Sequence, residues 1–226
     1  MAEPSQALYK AELIRHAMEV DALKYGSFTL KSGRISPYFF NAGLMCTGPI
    51  LATLATGYSS TIAQALKDGI FPEFDVLFGP AYKGISFASS AAMALYNQHG
   101  ISIGFAYDRK EVNTYAEGGK MVGVPVVGKR VVILDDVMTS GKAVRGAIET
   151  IRHHGGEVVG CIQALDRLEV GQNGVNSTVK EIEGMIGKGR VISIFTMKDL
   201  MIWLESQGLV RELEGLQAYW DQYGLK

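Results

Sequence analysis

Two adjacent acids and a hydroxyl-rich turn form the part of the chain best suited to chemistry. Asp135 and Asp136 follow four apolar residues, and the chain continues as Val137-Met138-Thr139-Ser140-Gly141-Lys142-Ala143. Thr139 and Ser140 offer hydroxyls, and the backbone N–H groups at the start of a helix are unpaired, so together they can hold a phosphate. The two acids would repel a phosphate, and we expect them to accept hydrogen bonds from neutral hydroxyls nearby. A ribose 5-phosphate carries both kinds of group.

The neighbouring segments predict how this turn is positioned. Val131 to Leu134 are apolar and mostly β-branched, which is typical of a strand buried on both faces of a parallel sheet. From Val144 to Ile151 apolar residues recur at helical spacing, so the acids and hydroxyls lie in a strand-to-helix loop. Ligands of open parallel sheets bind at that edge.

Two other interpretations of this segment are open. Ser140-Gly141-Lys142 looks like part of an ATP-binding P-loop, but that motif requires a Gly five residues before its Gly-Lys pair and a Ser or Thr after it. Those positions hold Asp136 and Ala143 here. The second interpretation is purely structural, with two solvated acids beside a helix that follows an ordinary strand.

The rest of the chain alternates between helical and strand-like patterns. Helices are predicted from a Ser5 cap to about Leu23, and over Gly48 to Lys67, Ile85 to His99, Ala143 to His154, Met197 to Gln207 and Glu212 to Tyr223. Strands are predicted around Phe28 to Leu30, Tyr38 to Asn41, Val76 to Phe78, Ile103 to Tyr107, Val158 to Leu165 and Val191 to Phe195. Glu169 to Lys180 is polar and predicts a surface loop. This order predicts an α/β fold whose central parallel sheet is Rossmann-like and flanked by helices.

Composition limits the class of partner. With 226 residues, 47% of them hydrophobic, the chain is long enough for one domain with a sizeable core. A formal charge of −1 and the absence of any Lys and Arg run argue against nucleic acid or an anionic membrane as a partner. Cys46 and Cys161 lack metal-type spacing, and neither a secretory signal nor an apolar run near 18 residues is present. We therefore expect a cytoplasmic protein with a small ligand.

Val131 to Ala143 resembles the phosphoribosyl diphosphate signature of the type I phosphoribosyltransferases. Four further blocks have the order and spacing of the orotate phosphoribosyltransferases within that family: Thr29 to Asn41, Gly79 to Gly84, Asp108 to Glu111 with Glu117 to Gly119, and Ala164 to Arg167. Together the blocks span about 140 of the 226 residues. The resemblance implies a single type I phosphoribosyltransferase domain over residues 1–226, with residues 1–45 contributing to a small N-terminal hood and residues 108–123 forming a mobile lid.

The resemblance also implies the reaction, which is transfer of 5-phosphoribose from phosphoribosyl diphosphate to orotate in UMP biosynthesis, with Mg²⁺ carried by the diphosphate and no metal held directly by the protein. An oxocarbenium-like transition state needs a rigidly held sugar, cations on the departing pyrophosphate and little water. The residues expected at phosphoribosyl diphosphate are Lys31, Tyr82, Lys83, Arg109, Lys110, Asp135, Asp136, Val137, Met138, Thr139, Ser140, Gly141, Lys142 and Ala143. Among them, the expected catalytic residues are Arg109, Lys110, Asp135 and Asp136.

A pocket for orotate, a planar anion, should offer a stacking face, a cation and donors to its edge. The resemblance implies Phe39 and Phe40 at the orotate, Arg167 bidentate to its carboxylate, Thr139 nearby and Lys31 in contact with both substrates. From the residues alone, Phe39 and Phe40 would be core, because paired aromatics in a β-like run usually are. Arg167 alone fits a ligand contact and a surface ion pair equally well.

Asp108 to Gly123 is long, polar and punctuated by glycines, which is typical of a mobile lid. In the family this loop closes over the site, partly from the neighbouring subunit of a homodimer, and brings cations to the pyrophosphate. Arg109 and Lys110 match, but Asn113 and Tyr115 stand where the family usually has Lys and His. Loss of one transition-state donor can cost on the order of 10²–10³ in rate. We therefore hypothesise slow turnover, or another lid arrangement in which Lys120 partly compensates.

Three functions remain open from the sequence. The first is transfer to orotate, and the second is transfer to another base, against which Arg167 argues because a neutral base needs no cation. The third is a weakened sensor that binds phosphoribosyl diphosphate, and Asn113 with Tyr115 is its only support.

Overall fold

The computed structural model describes residues 6–30, 32–113, 119–171 and 176–225. Its helices are α1 (Gln6–Glu19), α2 (Gly48–Lys67), α3 (Lys83–His99), α4 (Lys142–His153), α5 (Thr178–Ile186), α6 (Met197–Ser206) and α7 (Val210–Tyr223). Its strands are β1 (Leu23–Thr29), β2 (Ile35–Phe40), β3 (Val76–Gly79), β4 (Gly104–Asn113), β5 (Gly119–Gly123), β6 (Arg130–Asp135), β7 (Glu157–Asp166) and β8 (Val191–Thr196).

Six of the described strands form the central sheet, in the order β5-β4-β3-β6-β7-β8. The pairs from β4 to β8 are parallel, and only β5 at the edge is antiparallel to its neighbour. The carboxyl ends of β4, β3, β6 and β7 therefore lie side by side. This arrangement confirms the predicted α/β fold with a mostly parallel sheet.

Strand β6 shows why both faces of the sheet are covered by helices. Val132 and Leu134 face a core that includes residues of α2 and α3, and Val131 and Ile133 face a second core that includes residues of α4 and α5. All four side chains are fully buried. Because neighbouring residues of a strand point to opposite faces, an uninterrupted apolar run is needed to fill both cores.

The connection from β3 to α3 is unusually close. A Cβ atom added to Gly79 would lie 2.0 Å from the carbonyl oxygen of Gly84, and one added to Gly84 would lie 2.8 Å from the Pro80 ring. Only glycines permit this approach. The tight turn holds residues 80–83 at the carboxyl edge of the sheet.

A separate two-stranded sheet is formed by β1 and β2 near the N-terminus. The two strands are antiparallel, with Tyr25 opposite Tyr38 and Phe28 opposite Ser36. Leu23 and Tyr38 are buried in the larger core, and β2 contacts α7. The hairpin is thus attached to the main body by the apolar face of its strands.

Most predicted elements are confirmed, and three predictions are wrong. Helix α1 ends at Glu19 instead of Leu23, because Asp21 adopts a left-handed φ of 60° and Leu23 already pairs with Phe40. The loop predicted over Glu169 to Lys180 ends early, because the Ser177 side chain caps α5 by accepting from the Lys180 amide.

The third correction concerns the segment 108–123, whose described parts, 108–113 and 119–123, are strand where a loop was predicted. Strand β4 continues to Asn113, and Asn113 pairs with Gly119 of β5. Residues 114–118 lie outside the described part of the chain. None of the described helices combines the length and apolarity that a membrane span requires.

Candidate active site

A cavity of about 580 Å³ lies at the carboxyl ends of β3, β4 and β6, and we call it the edge cavity. This volume is in the range typical of small-molecule sites. Its lining consists of Pro80, Ala81, Tyr82, Lys83, Gly84, Asp108, Arg109, Lys110, Lys120, Asp135, Asp136, Val137, Met138, Thr139, Ser140, Gly141, Lys142, Ala143, Gly146, Ala147 and Thr150. The structure thus brings together every residue predicted at phosphoribosyl diphosphate except Lys31, which lies outside the described residues.

The loop from Val137 to Gly141 is held in place by side chains from neighbouring elements. Met138 N donates to Gln163 Oε1 at 3.0 Å, and Thr178 Oγ1 donates to the carbonyl of Thr139 at 2.7 Å. Gly141 adopts a left-handed φ of 68° and precedes α4 directly. The first turn of α4 therefore lines the edge cavity, and its N–H groups that lack a helical partner are donors for an anion.

The two acids have different environments. The Asp136 carboxylate forms an ion pair with Lys83, and its backbone carbonyl accepts from the amides of Ala164 and Leu165 at 2.9 and 3.1 Å. The Asp135 carboxylate accepts from the Asp136 amide at 2.9 Å, and its carbonyl accepts from the Tyr58 hydroxyl at 2.8 Å. The backbone of the pair is therefore fixed from β7 on one side and α2 on the other.

Burial, followed by the charge of Asp136, raises the pKa of Asp135 to about 7, although Lys83 acts in the opposite direction. A neighbouring negative charge and a partly dehydrated site both disfavour the ionised form of Asp135. Near neutral pH Asp135 therefore holds a proton for much of the time, and in that form it can donate a hydrogen bond as well as accept one.

Several cations line the same cavity. Lys83 and Lys142 come from the starts of α3 and α4, Arg109 and Lys110 from β4, and Lys120 from β5. Asp108 Oδ1 accepts from the Ala81 amide at 2.9 Å, which ties β4 to the turn before Lys83. Asn113 ends β4, and Tyr115 lies outside the described residues. A polyphosphate is the kind of ligand that such a set of cations fits.

The residues predicted at the orotate do not all reach the edge cavity. Thr139 lines it, whereas Phe39, Phe40 and Arg167 are absent from its lining. Phe39 is 42% exposed on the hairpin beside Phe28, with ring centroids 5.6 Å apart. Phe40 packs edge-on against Phe195 of the core. The interpretation of the aromatic pair as core therefore holds for Phe40 and not for Phe39.

Arg167 follows β7 directly and contacts the strand that carries both aromatics. Its Nη2 donates to Ser36 Oγ at 2.9 Å, and its guanidinium carbon lies 4.2 Å from the centre of the Tyr38 ring. Its Nε donates to Glu169 at 2.6 Å. The structure thus places Arg167 against the hairpin that carries Phe39 and Phe40 and outside the lining of the edge cavity.

The sequence analysis did not identify the residues that hold the site in place without lining the edge cavity. Gln163 and Tyr58 are buried and hold the loop and the acids, and Thr178 braces the loop from α5. A signal was available for Gln163, because it is the one polar side chain in an otherwise apolar run from 158 to 165. No comparable signal marks Tyr58 or Thr178.

Comparison with known proteins places this geometry in a family. Residues 51–183 match the phosphoribosyl transferase domain. The chain is 45% identical over 218 residues to the orotate phosphoribosyltransferase of Vibrio parahaemolyticus, covering 96% of this chain and 99% of that protein. It is 43% identical over 212 residues to that of Acinetobacter baumannii, covering 94% of each.

A solved structure agrees with these relatives. The orotate phosphoribosyltransferase of Francisella tularensis superposes with a TM-score of 0.81 at 33% identity, covering 95% of this chain and 100% of that one. The match extends over nearly the whole chain and includes the edge cavity. The chain belongs to the orotate phosphoribosyltransferases of the phosphoribosyl transferase family.

Proposed function

We propose that the protein transfers 5-phosphoribose from phosphoribosyl diphosphate to orotate, giving orotidine 5-phosphate and pyrophosphate as a step of UMP biosynthesis. The observation that carries the proposal is the edge cavity, where cations from β4 and α3, the acidic pair after β6 and the start of α4 converge. A sugar bearing one phosphate and one diphosphate needs all three features. An ordinary nucleotide pocket would not need the acidic pair.

The loop from Val137 to Ala143 binds the 5-phosphate. Its helix-start N–H groups and the hydroxyls of Thr139 and Ser140 supply donors without requiring a side-chain cation. Gly141 cannot be replaced without strain, because a Cβ there would lie 2.8 Å from Thr178 Cγ2 and φ is positive.

Asp135 and Asp136 bind the two ribose hydroxyls. In the structure Lys83 occupies one side of the Asp136 carboxylate, and half of the Lys83 side chain remains accessible. Lys83 can therefore rotate from Asp136 towards the diphosphate while a ribose hydroxyl replaces it at the carboxylate. The acids position the sugar and take no covalent part in the displacement.

Tyr82, Lys83, Arg109, Lys110 and Lys142 stabilise the departing pyrophosphate. Magnesium fits the cavity as a companion of the diphosphate, because the three aspartates of the lining already have partners: Asp136 is paired with Lys83, Asp108 accepts from the Ala81 amide, and Asp135 accepts from the Asp136 amide. A Mg²⁺ ion prefers six oxygen ligands, so most must come from the diphosphate and water. When bound, the ion would neutralise charge on the leaving group.

Orotate binds between the hairpin and the edge cavity. Phe39 and Phe40 provide apolar contact, Arg167 binds the carboxylate, Thr139 lies nearby, and Lys31 contacts both substrates. Support comes from Arg167, which already touches β2 through Ser36 and Tyr38. Residues 1–45 then act as the hood of a single domain over residues 1–226, with residues 108–123 as the lid.

The protein acts as a homodimer in the cytoplasm, with the lid reaching the neighbouring subunit and without nucleic-acid or membrane partners. A reducing compartment is supported by its two cysteines, both of which are free. A balanced formal charge of −1 gives no reason for a polyanionic partner.

The lid lacks two cationic residues that the family usually has, at positions 113 and 115, and Lys120 partly replaces them. Asn113 and Tyr115 are neutral, whereas Lys120 lines the edge cavity from β5. Gly119 of β5 pairs with Asn113 of β4. Lys120 is the next residue, so it places a positive charge on β5 one residue beyond the partner of the neutral Asn113. We expect turnover to be slower than with the family residues.

The test follows orotate loss by absorbance with purified protein, with and without phosphoribosyl diphosphate and Mg²⁺. Turnover that requires all three components supports the enzyme. Lack of turnover with both substrates bound would favour a phosphoribosyl diphosphate sensor, the alternative that the two neutral lid residues suggest. Transfer to uracil at the same rate as to orotate would instead favour another base.

The lid is tested by comparing the wild type with Asn113→Lys/Tyr115→His and, separately, with Lys120→Met. A higher rate in the first variant and a lower rate in the second support the lid proposal. An unchanged rate in Asn113→Lys/Tyr115→His would show that the lid residues do not limit turnover. Lys188→Met is a control of equal charge change on the loop between α5 and β8, outside the lining of the edge cavity.

A further inference from the structure

An ion-pair cluster lies outside the edge cavity, between the hairpin and the end of β7. Glu169 accepts from Arg167 Nε at 2.6 Å through Oε1 and lies 3.5 Å from Arg34 Nη1 through Oε2. One carboxylate is therefore shared by two guanidinium groups. Neither arginine lines the edge cavity.

The cluster is too buried to be an ordinary surface salt bridge. The accessible fractions of the side chains are 9% for Arg167, 13% for Glu169 and 19% for Arg34. Burying charges costs desolvation energy that ion pairing often fails to recover, so a buried cluster of this kind is weak evidence for a stabilising role. A functional role therefore explains these three buried charged side chains better than a stabilising role does.

The backbone between the paired residues is strained. Leu168 has a φ of 51°, a left-handed conformation that is unfavourable for a residue with a Cβ atom. It separates Arg167 from Glu169, which nonetheless meet side chain to side chain. Strain of this kind persists where surrounding contacts maintain it and is concentrated at functional sites.

Four side chains surround the guanidinium of Arg167. Glu169 accepts from Nε, Ser36 accepts from Nη2, the Tyr38 ring lies against its face, and the Tyr219 hydroxyl lies beside it. In the described part of the chain, no hydrogen bond uses the two N–H groups of Nη1. Nη1 therefore keeps donors that a carboxylate can use without displacing Glu169.

Arg34 prevents Glu169 from neutralising Arg167 completely. It also donates to the carbonyls of Val170 and Gly171, at 2.8 and 3.3 Å, which fixes the segment that carries Glu169. Two positive groups and one negative group leave the trio with a formal charge of plus one. Asp166, the other acid at this end of β7, is directed to the backbone amide of Leu168 at 2.8 Å.

We propose that Glu169 is a positioning residue for the base: it holds Arg167 with its Nη1 end free for the orotate carboxylate, while Arg34 preserves the positive charge. The proposal rests on the proposed role of Arg167 as the carboxylate ligand. A clasp that merely attaches the hairpin to the sheet would use the same contacts, and the experiment separates the two roles.

The first measurement compares wild type, Glu169→Gln and the control Glu157→Gln, which neutralises an exposed acid at the opposite end of β7. Charge-assisted hydrogen bonds are roughly twice as strong as neutral ones, and we expect the KM for orotate to rise about tenfold in Glu169→Gln. The KM for phosphoribosyl diphosphate should change less than about twofold. A clasp would instead raise both KM values and lower the melting temperature.

The second measurement is a double-mutant cycle with Arg167→Met. If Glu169 acts through Arg167, Glu169→Gln has little further effect on the KM for orotate once Arg167 is gone. If the KM for orotate in the double variant rises by the product of the two single-variant factors, the two residues act independently and the proposal is overturned. If Glu169→Gln does not fold, Glu169→Asp takes its place, because it keeps the charge and shortens the side chain by one methylene.

The outcomes also separate this proposal from the one on which it rests. Wild-type protein that neither binds nor consumes orotate would remove the proposed function itself. If the wild type turns over, Arg167→Met raises the KM for orotate and Glu169→Gln leaves it unchanged, only the role of Glu169 is overturned. Wild-type turnover indifferent to both changes would remove Arg167 as the carboxylate ligand.

Discussion

Replacing Gln163 by Met tests whether Gln163 holds the loop from Val137 to Gly141, the proposed 5-phosphate site, in place. Gln163 is 1% exposed, and its side-chain oxygen accepts from the Met138 amide at 3.0 Å. Methionine has nearly the volume of glutamine and fits irregular cores, so the substitution removes the acceptor with little change in packing. The Met138 amide then loses its acceptor in a buried part of the loop.

The expected magnitude follows from the cost of an unpaired amide. A buried donor without an acceptor costs about 1–3 kcal/mol, and the lower half of that range applies because Met138 retains 8% exposure. About 1–2 kcal/mol corresponds to a factor of about 5–30. If the loop shifts to satisfy the amide, the KM for phosphoribosyl diphosphate rises by that factor while the KM for orotate stays within about twofold.

The assay is initial-rate kinetics with each substrate varied in turn, alongside thermal unfolding. Cys161→Ala is the matched control, because Cys161 is a fully buried residue two positions away on β7 and, among the described residues, its side chain makes no hydrogen bond to the loop backbone. It should lower the melting temperature without changing either KM. An unchanged KM for phosphoribosyl diphosphate in Gln163→Met, or an equal rise in both KM values, would refute the argument.

Two further predictions concern stability. Burial and Asp136 raise the pKa of Asp135 to about 7, so the free energy of unfolding should fall as pH rises from about 4 to about 7, by at most about 1.4 kcal/mol per pH unit. Asp135→Asn should flatten that fall in urea titrations, and an unchanged slope would contradict the assignment. Gly79→Ala should lower the free energy of unfolding by about 1–3 kcal/mol or more, because its Cβ would lie 2.0 Å from the Gly84 carbonyl oxygen. Gly184→Ala, in open space on α5, should raise it by about 0.5–1 kcal/mol, and equal effects of the two changes would refute the steric argument.

The part of the site built on the parallel sheet could be predicted from the sequence. Buried strands need apolar residues on both faces, so the change from Leu134 to Asp135 locates the carboxyl edge of the sheet. Helix α2 begins and ends where predicted, because Pro49 lies in its first turn and an apolar face runs through it. Local pattern and tertiary packing favour the same structure in both places.

The prediction failed where backbone pairing or distant contacts decide the structure. Strand β5 has only five residues and no strand-like alternation, and it forms because it pairs with the extended β4 at the edge of the sheet. The position of Arg167 against Ser36 and Tyr38 depends on how the hairpin docks, which involves residues 131 positions apart in the chain. Only a three-dimensional structure supplies that contact.

Lys83 and Arg167 are each paired with a carboxylate, and they differ in burial. The difference fits the substrates that we propose for them. Lys83 is paired with Asp136 while half of its side chain stays accessible, so the pair can open when a ribose hydroxyl competes for the carboxylate. Glu169 and Arg167 are almost enclosed, and opening that pair would leave the buried Arg167 guanidinium without its anionic partner. A flexible diphosphate can use a cation that moves, whereas a planar base anion needs one that is already oriented. Preorganisation should therefore contribute more to orotate binding, and rearrangement more to binding of the phosphorylated sugar.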